Sequence, residues 1–386
     1  MRYALANGRV LTERGFETGR VVLVDGESIE ALVDERDAAG DRAEWIDLDG
    51  ALLLPGFIDT QVNGGGGVLF NDDPSVDAIR AIGRAHRRFG TTGFLPTLIS
   101  DDPAVMVRAI RAVEAAFAAR VPGVLGIHIE GPFLNEIRKG VHDPAKFQSL
   151  DAAALDLLCS VRTGRSVVTL APELAPPGAI RRLARAGLRV CAGHTDASYA
   201  QIRAALGEGL CGFTHLFNAM SPMTSREPGV VGAALEDRDS WCGIIVDGRH
   251  VDPVVLKVAL RAKSHDQFLL VTDAMACVGT DAREFVLQGR RIEVRDGVCM
   301  DQNGVLAGSA LDLARAVRNA VDWLDLSLDE AVSMASVNPA RFLGLDDRVG
   351  RIAPGQRANL VVATDRLEIL DTWIDGRSAV RHPDGS

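Results

Sequence analysis

Hydrophobic and polar residues alternate in two different ways along the chain, and the change of pattern separates two kinds of structure. Residues 1–54 contain short runs in which every second position is apolar, such as VVLVDGESIEALVD around its Asp-Gly turn. A period of two between turn residues is typical of short β-strands. The C-terminal stretches GRIAPGQRANLVVAT and ILDTWIDGRSAV have the same pattern. We therefore predict one small β-sandwich domain, built from residues 1–54 and 350–386.

Between these ends, residues 55–349 alternate short apolar runs with amphipathic helical segments. The strand candidates are GFIDTQV (56–62), TTGFLPTLI (91–99), VLGIHIE (124–130), SVVTLAPE (166–173), LRVCAGHT (188–195), GFTHLF (212–217), WCGIIVDG (241–248) and QFLLVTDA (267–274). Eight strands that alternate with capped helices favour an α/β fold, a (β/α)8 TIM-like barrel, over an open doubly wound sheet. Segment 285–300 breaks this alternation and predicts a β-hairpin inserted after the eighth strand.

Composition narrows the choice of partner and location. The chain has 386 residues, of which 42 are basic and 52 acidic, giving a net charge of −10. Nucleic acids and anionic membranes both require a basic surface, so we expect neither as a partner. The N-terminus MRYALANGRVLTERG lacks the apolar core of a signal peptide, and no run is long enough to span a bilayer. The six cysteines form no CxxC pair, which favours free thiols in a reducing cytoplasm.

Side chains that can bind a metal or move protons fall at the C-terminal ends of the predicted strands. Glu130 ends the third strand, His194 ends the fifth, His215 lies on the sixth, and Asp273 ends the eighth. A (β/α)8 barrel brings these ends to one mouth, where barrel enzymes have their active sites. Two imidazoles and a carboxylate are typical ligands of a catalytic zinc site. Asp273 could then take a proton from water and pass it to a leaving amine.

Other residues have simpler explanations when taken alone. A buried histidine or acid is often a hydrogen-bonded core residue, and only the joint position of several at strand ends favours a metal site. Asp247, at the end of the seventh strand, could shape the DGRH turn or orient His250. His86 lies on a polar helical segment and is expected at the surface.

Several longer segments follow one another in an order that points to a family. They are HIEGPFLNEIRKGVHDP (128–144), GHTDAS (193–198), THLFNAMSPMTSREPGVVG (214–232), DGRHVDP (247–253), VTDAM (271–275), NGVLAGSALDL (303–313) and NPARFLGLDDRVGRIAPGQRANLVV (338–362). Together they resemble the N-acetylglucosamine-6-phosphate deacetylases of the amidohydrolase superfamily. The resemblance extends over nearly the whole chain. It implies a hydrolase that converts this phosphorylated amino sugar to glucosamine 6-phosphate and acetate.

The resemblance also implies roles for individual residues. Glu130, His194 and His215 match the metal ligands, and Asp273 matches the catalytic acid/base. His142 matches the residue that reaches the acetyl carbonyl and stabilises the oxyanion. The implied cofactor is a divalent ion, expected to be zinc, with iron, cobalt and manganese as alternatives.

The substrate-binding positions that the resemblance implies are Val141, His142, Asn218, Ala219, Arg226, His250, Leu306, Ala307 and Gly308. Arg226 and His250 would bind the phosphate. In the family the arginine comes from the neighbouring subunit, so the resemblance predicts a homodimer in which Arg226 reaches the partner's site.

One position departs from the wider superfamily. The superfamily often has His-x-His at the end of the first strand, where it binds a second metal, but this chain has Gln61-Val62-Asn63. Neutral amide oxygens are poor ligands beside imidazole and carboxylate. We therefore predict one catalytic metal per subunit.

Three other functions remain open at the level of sequence. The galactosamine epimer of the substrate differs at one hydroxyl, which no motif distinguishes. Another amidohydrolase, acting on a cyclic amide or an N-acyl amino acid, would have little use for the Arg226 and His250 pair. A non-enzymatic scaffold would be expected to lose a metal ligand or the acid/base, yet all four residues are present.

Overall fold

The computed structural model describes residues 1–38, 40 and 42–382. The elements before the barrel are β1 (Arg2–Ala6), β2 (Arg9–Thr12), β3 (Gly15–Glu17), β4 (Arg20–Asp25), β5 (Ser28–Asp34), α1 (Glu35–Ala38), β6 (Glu44–Asp47) and β7 (Leu52–Pro55). The barrel begins with β8 (Phe57–Val62), and a short hairpin of β9 (Gly64–Gly65) and β10 (Val68–Leu69) follows. The remaining barrel strands are β11 (Thr91–Ile99), β12 (Gly126–Glu130), β13 (Arg165–Leu170), β14 (Arg189–Ala192), β15 (Leu210–Phe213), β16 (Trp241–Ile244) and β17 (Phe268–Leu270).

Helices pack around these strands, and further strands follow them. The helices are α2 (Val76–Arg87), α3 (Pro103–Ala118), α4 (Ala152–Leu158), α5 (Ala179–Arg185), α6 (Tyr199–Glu208), α7 (Gly229–Glu236), α8 (Pro253–Ala262), α9 (Leu313–Leu324), α10 (Leu328–Ala335) and α11 (Val337–Leu343). The later strands are β18 (Glu284–Leu287), β19 (Arg290–Arg295), β20 (Val298–Asp301), β21 (Leu306–Ser309), β22 (Leu360–Ala363), β23 (Ile369–Ile374) and β24 (Arg377–Ser378). None of the helices among the described residues has the length and apolar character that a membrane span requires.

The eight barrel strands form one sheet with each strand parallel to its neighbours. The sheet closes on itself where Val62 forms a parallel bridge with Ala274, and the Asp273 amide donates to the Gln61 carbonyl at 3.0 Å. Several helices start as the sequence indicates. Ser75 caps α2, and Asp252 caps α8 ahead of a proline. This architecture confirms the predicted (β/α)8 barrel.

Five barrel strands end earlier than the apolar pattern predicts. Strands β13, β14, β15, β16 and β17 end at Leu170, Ala192, Phe213, Ile244 and Leu270, three or four residues before the ends of the corresponding apolar runs. The backbone leaves the sheet here, because the next residues curve over the mouth of the barrel. Glu130 ends β12 as predicted, but the polar residues predicted at the ends of the later strands lie in the first turns beyond them.

The small domain is a sandwich of two sheets from both ends of the chain. One sheet has the order β5-β4-β1-β6 and the other β24-β23-β22-β7-β2-β3. The C-terminal strand β22 pairs antiparallel with β7, so N- and C-terminal segments share one sheet. A core with Leu5, Leu53 and Trp373 fills the space between the sheets. The fold thus contains the predicted sandwich. The domain limits, 1–54 with 350–386 around 55–349, stay a prediction, and residues 383–386 lie outside the described part.

The structure extends one sequence-based expectation and contradicts another. The hairpin predicted at 285–300 is present as β18 and β19, and it belongs to a larger antiparallel sheet in the order β18-β19-β20-β21, because the Asp296-Gly297 turn continues the chain into two further strands. His86 is not at the surface but fully buried, and its Nε2 lies 2.9 Å from the Gly64 carbonyl. The adjacent β9–β10 hairpin covers this face of α2.

Trp373 is the largest fully buried side chain, with 1% exposure, and stacks edge-on against Tyr3 at 5.1 Å between ring centroids. Trp373→Ala should therefore lower the free energy of unfolding by about 3–5 kcal/mol, because it leaves a cavity between the two sheets. Urea denaturation followed by circular dichroism measures this loss. Leu370→Ala is the matched control, since Leu370 lies on the same strand but is 51% exposed, and it should change stability by less than about 0.5 kcal/mol. Equal losses in both variants would contradict the sandwich core.

Candidate active site

Three predicted metal ligands meet at the C-terminal mouth of the barrel. Glu130 is the last residue of β12, and His194 and His215 follow the ends of β14 and β15. Glu130 Oε1 lies 3.1 Å from His194 Nε2 and 2.9 Å from His215 Nε2. The two Nε2 atoms are 3.1 Å apart, and all three side chains are buried. Among the described residues this is the group of three whose ligand atoms lie within 4.8 Å of one another.

The hydrogen-bond partners of these side chains fit a cation at their centre. His194 Nδ1 lies 2.9 Å from the Arg138 carbonyl, which can only accept, so Nδ1 carries the proton. In the neutral ring, its Nε2 then turns a lone pair toward Glu130 and His215. Lone pairs from two nitrogens and one carboxylate oxygen converge within a buried space, where they would repel without a positive charge. This donor set fits a divalent metal ion and leaves room for a further ligand.

The charges of the site depend on one another. When protons rather than a metal ion lie on the ring nitrogens that face Glu130, burial opposes ionisation of Glu130, but hydrogen bonds from His194 and His215 hold the pKa of its carboxyl well below the usual value. Burial also lowers the pKa of His215, but the hydrogen bond to Glu130 outweighs it, and the net pKa is raised. The anionic Glu130 is therefore the charge around which the two imidazoles are arranged.

Asp273 lies beside this group and is held by two amides. Asn63 Nδ2 donates to Asp273 Oδ1 at 2.6 Å, and Gln61 Nε2 donates to the same oxygen at 3.2 Å. The Gln61 amide also donates to Glu130 Oε2 at 3.1 Å. Burial, followed by the charge of Glu130, raises the pKa of Asp273 to about 6. The two amides thus act as hydrogen-bond donors to the carboxylates.

The backbone is strained at the functional side chains. His194, His215 and Asp273 have φ angles of 50°, 34° and 52°, in the left-handed region that few residues other than glycine adopt. Such conformations cost roughly 1–3 kcal/mol each and occur mainly at functional sites. Here they turn each side chain inward after its strand has ended.

A cavity of about 340 Å³ opens above these residues. Eleven of the predicted site residues line it, namely Glu130, Val141, His142, His194, His215, Asn218, Ala219, His250, Asp273, Leu306 and Gly308. Gly308 has a φ of 62°, and a Cβ atom there would lie 2.7 Å from the Asp273 carbonyl oxygen. Only glycine therefore allows β21 to pass so close to the main chain of Asp273.

Two predicted substrate-binding residues do not line this cavity. Ala307 is fully buried on β21 and faces the core beneath it, while its neighbours Leu306 and Gly308 face the cavity. Arg226 is exposed in the loop between β15 and α7. The contact predicted for Arg226 is with a second subunit, and it stays a prediction.

His142 is buried at the edge of the cavity. Its Nδ1 lies 2.8 Å from the Ser100 hydroxyl and accepts from the Ser100 backbone amide at 3.4 Å. Burial lowers the pKa of His142 well below its usual value, so the ring is neutral. A neutral ring that accepts at Nδ1 carries its proton on Nε2. That proton is available to a ligand oxygen.

The sequence leaves two roles open for Asp247, which are shaping the DGRH turn and orienting His250. Its Oδ2 lies 2.7 Å from His250 Nδ1, and its Oδ1 accepts from the His250 backbone amide at 2.8 Å. Hydrogen bonds from His250 and from nearby backbone amides outweigh burial and lower the pKa of Asp247. Asp247 therefore both shapes the turn and directs His250 Nε2 into the cavity.

Some functional contacts carry no signal in the sequence. The carbonyl of Arg138 orients His194, but any residue could supply a carbonyl. Ser100 binds His142 from the turn after β11, and only the closed barrel brings the two together. The matched segment 128–144 includes Arg138 without indicating that its main chain is the part used.

Comparisons with known proteins agree with this geometry. N-acetylgalactosamine-6-phosphate deacetylase from Shewanella sp. (strain ANA-3) is 44% identical over 330 residues, covering 85% of this chain and 83% of the relative. N-acetylglucosamine-6-phosphate deacetylase from Haemophilus influenzae is 35% identical over 380 residues, covering 98% and 99%.

Solved structures give the same result. N-acetylglucosamine-6-phosphate deacetylase from Pasteurella multocida superposes with a TM-score of 0.94 at 36% identity, covering 98% of this chain and 99% of that one. A mutant of the Mycobacterium smegmatis enzyme, in complex with N-acetyl-D-glucosamine-6-phosphate, superposes with a TM-score of 0.87 at 32% identity, covering 98% of both chains. The resemblance predicted from the motifs is confirmed. Because the amidohydrolase family model also matches residues 52–379, this chain belongs to the amidohydrolase family.

Proposed function

We propose that the protein hydrolyses the acetamide of N-acetylglucosamine 6-phosphate, releasing acetate and glucosamine 6-phosphate. The main observation in support is that Glu130, His194, His215 and Asp273 line one cavity. Relatives that share the fold over nearly the whole chain are deacetylases of this substrate. Six free cysteines are compatible with a cytoplasmic enzyme, which we include in the proposal.

A divalent ion bound by Glu130, His194 and His215 would acidify a water molecule and polarise the acetamide carbonyl. Asp273 accepts a proton as the water oxygen bonds to the carbonyl carbon. His142 donates its Nε2 proton in a hydrogen bond to the carbonyl oxygen as negative charge develops there. Asp273 then returns the proton to the amide nitrogen, the C–N bond breaks, and acetate and the free amine leave.

We further propose a single ion per chain, with zinc as the expected metal and iron, cobalt or manganese as alternatives. The amides of Gln61 and Asn63 are already used as donors to Glu130 and Asp273. They therefore turn N–H groups, not lone pairs, toward the place where a second ion would be bound.

The substrate phosphate needs positive groups in a chain with a net charge of −10. His250, held by Asp247, faces the cavity. Arg226 would complete the phosphate site of the partner subunit in a homodimer. The outer face of α8 supports such an interface, because Val254, Val255 and Val258 are exposed there, at 66%, 40% and 52%.

A second candidate is the galactosamine epimer of the substrate. The Shewanella relative, at 44% identity, acts on N-acetylgalactosamine 6-phosphate by its name. The two reactions use the same metal ligands and acid, so they differ only in how the cavity contacts one hydroxyl.

The deacetylase proposal predicts acetate release from N-acetylglucosamine 6-phosphate with a higher kcat/KM than from the galactosamine epimer. Asp273→Asn should lower kcat by about 10²–10⁴-fold, because an amide cannot accept the water proton. Steady-state kinetics on both sugars measure these effects. Asp281→Asn, in an exposed loop, is the matched control and should keep full activity. A higher kcat/KM for the galactosamine epimer would replace the first candidate with the second.

Metal analysis by mass spectrometry should find one divalent ion per chain. Glu130→Gln should lose most of this metal and all measurable activity, since a neutral amide is a weak ligand. Glu136→Gln changes an exposed acid near the mouth of the cavity and should retain the metal. Chelation should abolish acetate release, and added zinc should restore it. Two tightly bound ions per wild-type chain would contradict the single-ion site.

Arg226→Ala should raise KM for the phosphorylated sugar about 10–100-fold, as expected for loss of a charge-assisted hydrogen bond of about 1.5–3 kcal/mol. Arg249→Ala, beside His250 but exposed, serves as the control. In solution, light scattering should give twice the mass of one chain. Co-expressing Arg226→Ala with Asp273→Asn chains should restore low-KM activity, because mixed dimers then contain one intact site. Without such complementation, the residue does not act across subunits.

A further inference from the structure

His142 needs a fixed orientation, yet it lies in an irregular loop. The loop connects the short 3₁₀ turns Glu136–Arg138 and Pro144–Lys146. Loop side chains sample several rotamers unless neighbouring groups hold them. For the proposed reaction the Nε2 proton must point into the cavity at the moment when charge develops on the carbonyl oxygen. The contacts that hold this loop therefore bear on catalysis.

Some of those contacts come from the sheet inserted after the barrel. Strands β18 and β19 are joined by the two-residue turn Gln288-Gly289, whose φ angles are both positive, at 48° and 77°. This is the compact turn that matches the twist of a hairpin. Gln288 and Arg290, on either side of Gly289, are both half-buried. The tip of the insertion thus lies against the loop that contains His142.

Two hydrogen bonds connect this tip to the immediate neighbours of His142. Gln288 Nε2 donates to the Ser100 carbonyl at 2.7 Å, and Ser100 in turn binds His142 Nδ1 at 2.8 Å. The Arg290 guanidinium donates to the carbonyl of Val141, the residue before His142. The Gln288 contact holds Ser100, the hydrogen-bond partner of the His142 imidazole. The Arg290 contact holds the peptide group between Val141 and His142.

We propose that Arg290 and Gln288 are positioning residues for the deacetylation, and that the inserted sheet keeps His142 aimed at the acetyl carbonyl. This inference rests on the proposed function, because it assigns a role to residues around its oxyanion-binding group. Neither residue is among those that line the cavity. Their effect on the reaction therefore passes through His142 and the Val141 peptide that precedes it.

The same strand offers a matched control. Successive side chains of a strand point to opposite faces. Arg290 turns toward Val141, whereas the side chain of Arg291 is 67% exposed and pairs with Glu284 on the neighbouring strand. The two arginines share one strand and one side-chain type but differ in burial and in what they contact.

The test measures steady-state kinetics of the metal-loaded enzyme on N-acetylglucosamine 6-phosphate. Arg290→Met keeps the length of the side chain and removes its donors. It should lower kcat about 10–100-fold, the usual range for a residue that orients a functional side chain, and change KM less than about threefold. Arg290→Lys should recover part of the loss, since one donor remains. Arg291→Met should match the wild type.

A second substrate separates positioning from a general structural defect. An N-trifluoroacetyl analogue has a more electrophilic carbonyl and depends less on oxyanion stabilisation. The loss of kcat in Arg290→Met should therefore be smaller on this analogue, whereas partial unfolding would lower both rates equally. Gln288→Leu should show the same pattern, which keeps the proposal testable if Arg290→Met does not fold.

The outcomes are distinguishable. A wild-type enzyme that releases no acetate from either epimer would refute the proposed function itself. If the wild type is active but Arg290→Met and Gln288→Leu retain its kcat, the positioning role is wrong. Equal losses on both substrates, or an equal loss in Arg291→Met, would likewise overturn it.

Discussion

The carboxylate of Glu130, shared by two histidines in a buried barrel mouth, is the interaction on which the rest of the site depends. An ionised carboxylate is stable away from water only when positive or hydrogen-bonding groups surround it. His194 and His215 supply nitrogens at 3.1 and 2.9 Å, and Gln61 donates to the other oxygen. Burial and, after it, the charge that remains on Glu130 raise the pKa of Asp273, so the two carboxyl groups are electrostatically linked.

The sequence predicts much of this arrangement because the (β/α)8 barrel turns strand order into spatial proximity. Eight apolar runs separated by capped helices are enough to place Glu130, His194, His215 and Asp273 at one mouth. The points at which the strands end could not be predicted, since apolar residues continue past them. The left-handed backbone that bends His194 and Asp273 inward is a tertiary effect without a propensity signal. His86 was misjudged for a similar reason: its polar neighbours gave no indication that a short hairpin would cover it.

The two amides at the end of the first barrel strand bind the carboxylates of the site. In place of imidazoles, Gln61 and Asn63 present N–H groups to the carboxylates of Glu130 and Asp273. This arrangement uses both amides as hydrogen-bond donors. The hydrogen bonds to Asp273 also link the first barrel strand to the turn after the last one, where the bridge between Val62 and Ala274 closes the barrel. The same residues therefore contribute to closure of the sheet and to the electrostatics of the site.

The sandwich has a consequence for how the protein is made. In its larger sheet, strands β2, β3 and β7 come from the start of the chain, and their partner β22 comes from the end. On the ribosome the edge of β7 thus stays unpaired while the whole barrel is synthesised. An exposed strand edge is a site for wrong association. Strand β7 leads directly into β8, the first strand of the barrel. A segment that is synthesised after the barrel therefore covers the edge of the strand that precedes it.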